Sequence, residues 1–236
     1  MQKSVIWKMD PPEITLEDLF MAQGADYRTR TPRSNVLELN RRILEETSRL
    51  ARPIAIWNAV NVTGGGEQEL ILEQGMKLKS KLLAKVAGSA DKLILLAMTI
   101  GSDLDDRLAA YSKAGQALEA FVLDAAGSAF LTKSAPLAFG MIKEKYQSEG
   151  MTATFPLGPG HSYWKGLDDV KTIIDFLHAE QIGITLTESN LMRPQKSLAF
   201  VMGVGKNLPD FKGKIHCDFC TLKKDCNMHK LGEKCV

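Results

Sequence analysis

The sequence predicts a single α+β domain followed by a short cysteine-rich C-terminal tail. Strand-like and helix-like segments follow one another without the regular strand–helix–strand alternation that builds a parallel sheet. The chain has 236 residues, and all four of its cysteines lie at or after position 217. We therefore expect residues 1–205 to form the domain and residues 206–236 to form a metal-binding tail.

The N-terminal quarter of the chain predicts two strands and two helices. Residues 4–9 are typical of a short strand. Thr15 and Asp18 have the spacing of a capping box, which predicts a helix beginning after Thr15. Apolar residues recur at helical spacing over residues 36–50, and the β-branched run 54–62 is typical of a strand that the following glycines end.

The middle of the chain predicts three helices and a buried strand. Residues 76–86 have a helical pattern, and the continuous apolar run 92–100 indicates a buried strand. Acidic residues from Asp103 onward favour the start of a helix, because the helix dipole attracts negative charge there. Residues 117–146 predict the longest helix, which Pro136 should kink or split.

The last third of the domain predicts a shaped loop, one helix and two strands. Prolines and glycines concentrate in residues 152–166 and indicate the loop. Residues 170–177 have helical spacing. Residues 184–188 and 197–204 are typical of strands, and we expect a loop over residues 189–196.

The overall composition excludes several classes of function. Apolar residues make up 44% of the chain and charged residues 25%, with a net charge of +2, so nothing favours nucleic acid as a partner. No apolar stretch reaches the roughly 18 residues that a membrane span needs. The N-terminal residues lack the apolar core of a secretory signal. We expect a cytoplasmic protein with no membrane partner.

Three glycine-rich segments resemble nucleotide-binding motifs but lack their essential residues. Gly64-Gly65-Gly66 is not followed by the lysine and hydroxyl residue of a phosphate-binding loop, and Gly203-Val204-Gly205-Lys206 is followed by asparagine. Gly158-Pro159-Gly160 does not open a helix directly, as a dinucleotide fingerprint would. We interpret all three as turns.

The cysteines have the spacing Cys-x2-Cys-x5-Cys-x8-Cys, which predicts a metal site. The four predicted ligands are Cys217, Cys220, Cys226 and Cys235. Thiolates are soft donors that suit iron–sulfur clusters or zinc, and in the cytoplasm clustered cysteines bind metal more often than they form disulfides. His216 or His229 could replace Cys235 as a zinc ligand. The spacing alone does not separate iron–sulfur from zinc.

Four segments resemble one known family. Thr187-Glu188-Ser189-Asn190-Leu191-Met192-Arg193-Pro194-Gln195-Lys196-Ser197 resembles the Thr-Glu-Ser-x-x-Met-x-Pro-x-x-Ser signature of the activation domain of cobalamin-dependent methionine synthase. Thr99-Ile100-Gly101 and the segment 123–129 resemble stand-alone bacterial versions of that domain. Residues 155–164 lie where the family has its proline–glycine–tyrosine loop. The order and spacing agree over residues 15–205.

The resemblance implies a fold, a ligand and a partner. The family domain is a C-shaped α+β fold around a twisted antiparallel sheet. It binds S-adenosylmethionine and docks on a cobalamin domain, where inactive cobalt(II) is reduced and remethylated. The residues that the resemblance places near the ligand are Glu188, Ser189, Met192, Pro194, Ser197, Pro159, Gly160 and His161.

Three positions depart from the family pattern. Pro156 stands where the family has an arginine, His161 replaces the tyrosine, and Lys133 replaces a glutamate. An arginine fork and a carboxylate suit the charged ends of S-adenosylmethionine, and neither proline nor lysine can replace them. These departures argue against binding of S-adenosylmethionine in the family manner.

The motifs together predict an activator of a corrinoid-dependent methyltransferase system. The redox chemistry that the resemblance implies favours a [4Fe–4S] cluster over zinc in the tail. We expect a cobalamin-binding protein or methyltransferase as partner and a ferredoxin or flavodoxin as electron donor. The alternative is a module that binds S-adenosylmethionine or a corrinoid protein, with a structural zinc tail and no electron transfer. The sequence leaves open whether the chain is an enzyme.

Overall fold

A seven-stranded sheet lies at the centre of residues 3–25 and 31–230, the part of the chain that the computed structural model describes. The strands of the whole structure are β1 (Val5–Lys8), β2 (Ile54–Gly65), β3 (Leu70–Leu72), β4 (Lys77–Leu78), β5 (Lys92–Thr99), β6 (Thr152–Ala153), β7 (Thr185–Leu186), β8 (Met192–Arg193) and β9 (Ser197–Gly205). The order across the sheet is β4-β3-β2-β5-β9-β6, and β1 pairs with the first residues of β2. β7 and β8 form a separate hairpin.

The described strands all pair in the antiparallel sense, which confirms the predicted α+β class. The helices are α1 (Leu16–Ala22), α2 (Ser34–Leu50), α3 (Lys81–Ala87), α4 (Asp103–Lys113), α5 (Ala117–Ser148), α6 (Asp168–Leu177) and α7 (Asn227–Lys230). None of these helices is long and apolar enough to cross a membrane. The predicted boundary between residues 205 and 206 stays a prediction.

Strand β5 is buried on both faces, which explains its continuous apolar run. Successive side chains of a strand point to opposite faces. Leu93 and Leu95 join a core cluster that includes α3, α6 and Trp164. Ile94 and Leu96 join a second cluster formed with the C-terminal half of α5. The sheet is thus a middle layer between helices.

A third cluster consists mainly of helical residues, with Ile14, Ala51 and Ile100 from the adjoining connections. It joins α1, α2, α4 and the N-terminal half of α5. The predicted capping box at α1 is confirmed, because the Thr15 hydroxyl accepts a hydrogen bond from the Asp18 amide at 3.2 Å while the Asp18 carboxylate accepts from the Thr15 amide at 2.9 Å. Long helix α5 connects this cluster to the sheet.

Helix α5 runs from Ala117 to Ser148 without a break, so of the two outcomes predicted for Pro136, a kink or a split, the split was wrong and the kink stays a prediction. Proline removes one backbone donor and crowds the preceding turn. Packing outweighs that cost here, since Ala135, Ala138 and Ile142 are fully buried against the sheet.

The predicted helix 76–86 begins too early. Residues Lys77–Leu78 pair with β3 instead, and the helix begins at Lys81. The Ser80 hydroxyl accepts a hydrogen bond from the Leu83 amide at 3.2 Å and caps the helix there. A local serine cap therefore sets the boundary that apolar periodicity misplaced.

Two predicted strand boundaries also differ from the structure. Strand β2 continues past the predicted end at residue 62 to Gly65, with an irregularity between Val62 and Gly64 where it pairs with β3. The predicted strand 184–188 is reduced to Thr185–Leu186, which pairs with Met192–Arg193 inside the predicted loop. In both cases, antiparallel pairing with a nearby segment sets where the strand ends.

Gly127 and Gly140 provide a matched test of the packing of α5. A Cβ added at Gly127 would lie 2.3 Å from a methyl carbon of buried Leu104 and 3.1 Å from the Lys196 side chain, whereas one at Gly140 would meet nothing within 4 Å. We expect Gly127→Ala to lower the free energy of unfolding by about 1–2 kcal/mol through overpacking. Gly140→Ala should raise it by about 0.5–1 kcal/mol through helix propensity.

Denaturant unfolding of both variants measures these changes. Equal stabilisation by the two alanines would show that α5 does not approach Leu104 and Lys196 closely.

Candidate functional site

Residues 154–167, here called the Pro–Gly loop, join β6 to α6 and lie along β9. The Leu157 amide donates to the Val201 carbonyl at 2.9 Å, and the Val201 amide donates back at 2.8 Å. Trp164 is buried, and its indole nitrogen donates to the Asp169 carboxylate at 2.8 Å. Two ordinary backbone hydrogen bonds and one buried ring therefore fix the ends of the loop.

His161 points inward from this loop. Its ring stacks on Tyr163, with centroids 5.2 Å apart, and lies 5.8 Å from the ring of Phe200. A Cβ on Gly158 would lie 2.8 Å from the His161 ring, so glycine is needed at that close approach. Burial lowers the pKa of His161, and His216 nearby acts in the same direction. His161 is thus a packed side chain of the loop.

The other two predicted residues of the loop have different surroundings. Pro159 is buried and Gly160 is exposed. The Gly160 amide donates to the Trp164 carbonyl at 2.8 Å, and the Trp164 amide donates to the His161 carbonyl at the same distance. These bonds close the loop on itself.

The Thr-Glu-Ser motif forms the tip of the β7–β8 hairpin. Glu188 and Ser189 are exposed there. The Thr187 amide donates to the Leu191 carbonyl at 2.9 Å, and the Leu191 amide donates to the Thr187 hydroxyl at 3.1 Å. The motif thus presents a carboxylate and a hydroxyl on a short, hydrogen-bonded turn.

The remaining residues of the motif anchor the hairpin. Met192 packs against the same core cluster as the Pro–Gly loop residues Phe155 and Tyr163. Pro194 is buried, and its carbonyl accepts a hydrogen bond from the Ser197 hydroxyl at 2.7 Å. The two predicted ligand loops therefore share one supporting core, although their ligand role stays a prediction.

Lys196 joins the segments that carry the family resemblance. Its ammonium group contacts the Asp124 carboxylate at 2.8 Å and donates to the Ser128 hydroxyl at 2.9 Å. Its carbonyl accepts hydrogen bonds from the Ile100 amide and the Thr99 hydroxyl, both at 3.2 Å. The lysine side chain is only 13% exposed. One residue thus ties the hairpin to α5 and to the end of β5.

Lys133, which stands where the family has a glutamate, is engaged elsewhere. Its ammonium group lies 2.8 Å from the Asp18 carboxylate. Burial would raise the pKa of Asp18, but hydrogen bonds from Lys133 and Thr15 outweigh burial and lower it. The ion pair between Lys133 and Asp18 therefore connects α5 to α1.

The cysteine tail folds back onto the Pro–Gly loop. Phe219 of the tail stacks on Phe155 of the loop, with centroids 5.8 Å apart, and Phe211 packs edge-on to Phe155 at 5.7 Å. The Lys85 ammonium lies 5.9 Å from the centre of the Phe219 ring. Buried His216 lies 6.1 Å from the Tyr163 ring. These aromatic contacts hold the first part of the tail against the domain.

Two of the predicted cysteine ligands have polar neighbours at the sulfur. The Cys220 sulfur lies 3.2 Å from the Ser162 hydroxyl of the Pro–Gly loop. The Cys217 sulfur lies 3.4 Å from Nε2 of His216. Cys226 precedes α7, where the Lys230 amide donates to its carbonyl at 3.0 Å. All three cysteines are partly buried.

The cysteine thiols are donors that suit a sulfur-preferring metal. The described side chains do not form a coordination sphere. In the ranges 3–25 and 31–230, no three side chains of the kinds that ligate metals converge on one point. The fourth predicted ligand, Cys235, lies outside the described residues. Cys217, Cys220 and Cys226 form no disulfide with any described residue.

The charges around the cysteines are partly paired. Lys223 lies 2.7 Å from the Asp218 carboxylate. That hydrogen bond, together with the one that Asp218 accepts from the Ile215 amide, lowers the pKa of Asp218. Lys212, Lys214 and Lys224 are exposed on the same segment and can offset thiolate charge.

The sequence did not predict the contact of Ser162, the phenylalanine contacts or the role of Lys196. Ser162 and Cys220 are 58 residues apart in the chain, and Lys196 and Ser128 are 68 apart. No local pattern reports such contacts.

The comparisons with known proteins identify the fold. No protein-family profile matches the chain, and no curated protein matches it. Among solved structures, the crystal structure of the MetH reactivation domain bound to AdoHcy is similar, with a TM-score of 0.66 and 14% sequence identity. The match covers 98% of this chain and 86% of that chain. The chain has the fold of that reactivation domain. The resemblance that the motifs predicted is thereby confirmed for the fold.

Burial of His161 predicts a dependence of stability on pH. The folded protein favours the neutral ring, because its pKa is lowered, so the unfolded chain takes up the proton first as the pH falls below about 6.5. The free energy of unfolding of the metal-free chain should therefore fall from that pH down to the lowered pKa. His161→Asn should flatten this decline.

Urea unfolding at several pH values measures the effect. His178→Asn is the matched control, because His178 is exposed and has a left-handed backbone that asparagine tolerates. Identical pH slopes for wild type and His161→Asn would contradict the prediction.

The stacking of Phe219 on Phe155 predicts that loss of the Phe219 ring loosens the adjoining part of the tail. Loss of aromatic contacts worth about 1.4 kcal/mol makes local opening about tenfold more frequent. We therefore expect Phe219→Ala to accelerate amide hydrogen exchange of residues 215–221 about tenfold. Leu222→Ala is the control, since Leu222 is 60% exposed. Similar exchange in the two variants would show that Phe219 does not anchor the tail.

Proposed function

We propose that this chain is a reductive activator of a cobalamin- or corrinoid-dependent methyltransferase system. The observation that carries the proposal is that a cysteine tail lies on the Pro–Gly loop of a chain with the fold of the MetH reactivation domain. That neighbour's fold is matched over nearly the whole chain, while the tail adds thiolate donors beside the loop. The proposal assigns docking to residues 1–205 and metal binding to residues 206–236.

The two ligand loops are assigned to contact with the cobalamin-bearing partner. Glu188 and Ser189 are exposed at the hairpin tip, where the carboxylate can accept hydrogen bonds from a partner and the hydroxyl can accept or donate them. Lys196 holds the base of the hairpin through Asp124 and Ser128, so the tip is displayed from a fixed support. Such prior ordering reduces the entropy lost on docking.

The tail is assigned to hold the redox centre with Cys217, Cys220, Cys226 and Cys235. A [4Fe–4S] cluster supplies single electrons at low potential when it is bound to four thiolates, and reduction of cobalt(II) in the partner requires such a donor. The exposed lysines of the segment offset thiolate charge and can attract an acidic electron-donor protein such as a ferredoxin or flavodoxin.

A second function is favoured by the ligand of the structural neighbour. That domain was crystallised with AdoHcy, which supports a module that binds S-adenosylmethionine. In this alternative, as in a module that binds a corrinoid protein, the tail would hold a structural zinc ion. Two observations argue against binding of S-adenosylmethionine in the family manner. Lys133 is paired with Asp18, and Pro156 provides no guanidinium group. The two functions differ in the metal and in electron transfer.

Anaerobic reconstitution with iron and sulfide tests the first function. We expect broad absorbance at about 400 nm that dithionite bleaches, as for other cysteine-ligated clusters. Replacement of Cys217, Cys220, Cys226 or Cys235 by serine should abolish or strongly reduce this absorbance. Thr221→Ala is the control, because Thr221 is exposed next to Cys220. A colourless protein with one tightly bound zinc ion would support the second function instead.

The same preparation tests docking. Reconstituted protein should bind a cobalamin-loaded methionine synthase fragment in a pull-down and, with dithionite, reduce its cobalt(II), followed by visible absorbance. Glu188→Lys should weaken binding about threefold to tenfold, since a charge reversal at a rim mainly slows association. Glu144→Lys, on the exposed side of α5, is the matched control. Absence of binding by the wild type would contradict the assignment of the partner.

A further inference from the structure

Ser162 of the Pro–Gly loop occupies a defined position between two groups of the tail. Its hydroxyl oxygen accepts a hydrogen bond from the Thr221 amide at 3.1 Å and lies 3.2 Å from the Cys220 sulfur. A serine hydroxyl has one proton to donate and two lone pairs that accept. The amide uses one lone pair, so the hydroxyl proton is available for the sulfur.

The chemistry of metal binding decides which atom donates. Cysteine binds a metal as the thiolate, which carries no proton. Once Cys220 is a ligand, the Ser162 hydroxyl is the donor of this pair and the sulfur is the acceptor. The hydrogen bond then withdraws electron density from the sulfur and orients it.

Separate contacts fix the two partners before any metal binds. The loop side is held by buried Trp164, which donates to Asp169, and by the Tyr163 hydroxyl, which accepts from the Gly158 amide at 3.2 Å. The tail side is held by Phe219, stacked on Phe155. Ser162 and Cys220 therefore meet because two packed segments meet, and no flexible side chain has to reach across.

We propose that Ser162 is a positioning residue that donates a hydrogen bond to the Cys220 thiolate, and so links the Pro–Gly loop to the metal centre of the tail. The inference rests on the proposed function to the extent that Cys220 is a metal ligand. Hydrogen bonds to the sulfurs of a cluster stabilise its more negative, reduced state and raise its reduction potential. Outer-shell hydrogen bonds also strengthen metal binding.

Three variants of the full chain test the proposal. Ser162→Ala removes the hydroxyl, and Ser162→Thr retains it. Ser89→Ala is the matched control, because the Ser89 hydroxyl also donates to the tail, but to the Asn207 carbonyl at 2.9 Å and not to a sulfur. Any effect of loosening the tail in general should therefore be shared by Ser89→Ala.

Two measurements are made on each variant. For iron-loaded protein, the reduction potential is determined by anaerobic titration followed by visible absorbance. We expect Ser162→Ala to lower it by the equivalent of about a tenfold change in the one-electron equilibrium constant, which is about 59 mV. For the metal-free chain given Zn²⁺ alone, competition with a chromophoric chelator should show affinity about tenfold weaker in Ser162→Ala. Ser162→Thr should restore both values, and Ser89→Ala should change neither.

The outcomes separate this proposal from the proposed function. If wild type binds metal while Ser162→Ala matches it in potential and in Zn²⁺ affinity, the role of Ser162 is refuted and the cysteine site stands. An equal loss in Ser162→Ala and Ser89→Ala would also refute it, since the effect would come from tail docking alone. If the chain binds Zn²⁺ but no iron–sulfur cluster, electron transfer is refuted. The Zn²⁺ affinities of the variants then test the role of Ser162 by themselves. Failure of wild type to bind either metal would refute both.

Discussion

The ion pair and hydrogen bonds of the partly buried Lys196 side chain are the interactions on which the arrangement of this molecule depends. The Lys196 side chain is 13% exposed, and its ammonium group lies between Asp124 and Ser128 of α5. The backbone carbonyl of Lys196 accepts hydrogen bonds at the end of β5. A buried charge is costly unless it is paired and hydrogen-bonded. That cost restricts the β7–β8 hairpin to the position in which both partners are reached. The hairpin, the central strand and the long helix are consequently held in one geometry.

The contact between the tail and the Pro–Gly loop joins the C-terminal segment to the domain. Phe211 and Phe219 form an aromatic cluster with Phe155, and Ser162 brings a hydroxyl to the Cys220 sulfur. The proposed electron source and the proposed docking loop are therefore neighbours in one structure. Ser162 and Cys220 thus make a direct contact between the loop and the proposed metal site.

Most elements of the domain could be predicted because their signals are local. The capping box at Thr15 and the apolar run of β5 each lie within a few residues of the feature that they specify. Predictions failed where a local preference competed with packing or pairing. Helix α5 continues through Pro136 because the sheet supports its far half, and residues Lys77–Leu78 became a strand because β3 lay beside them.

The sequence by itself determined the α+β class, the family-like motifs and the clustering of thiols, since composition, periodicity and spacing are properties of the chain before it folds. The tertiary structure decided that the tail lies on the Pro–Gly loop, that Lys133 pairs with Asp18, and that Ser162 faces Cys220. These contacts join residues far apart in sequence, and their partners become neighbours only when the burial of apolar surface brings the segments together.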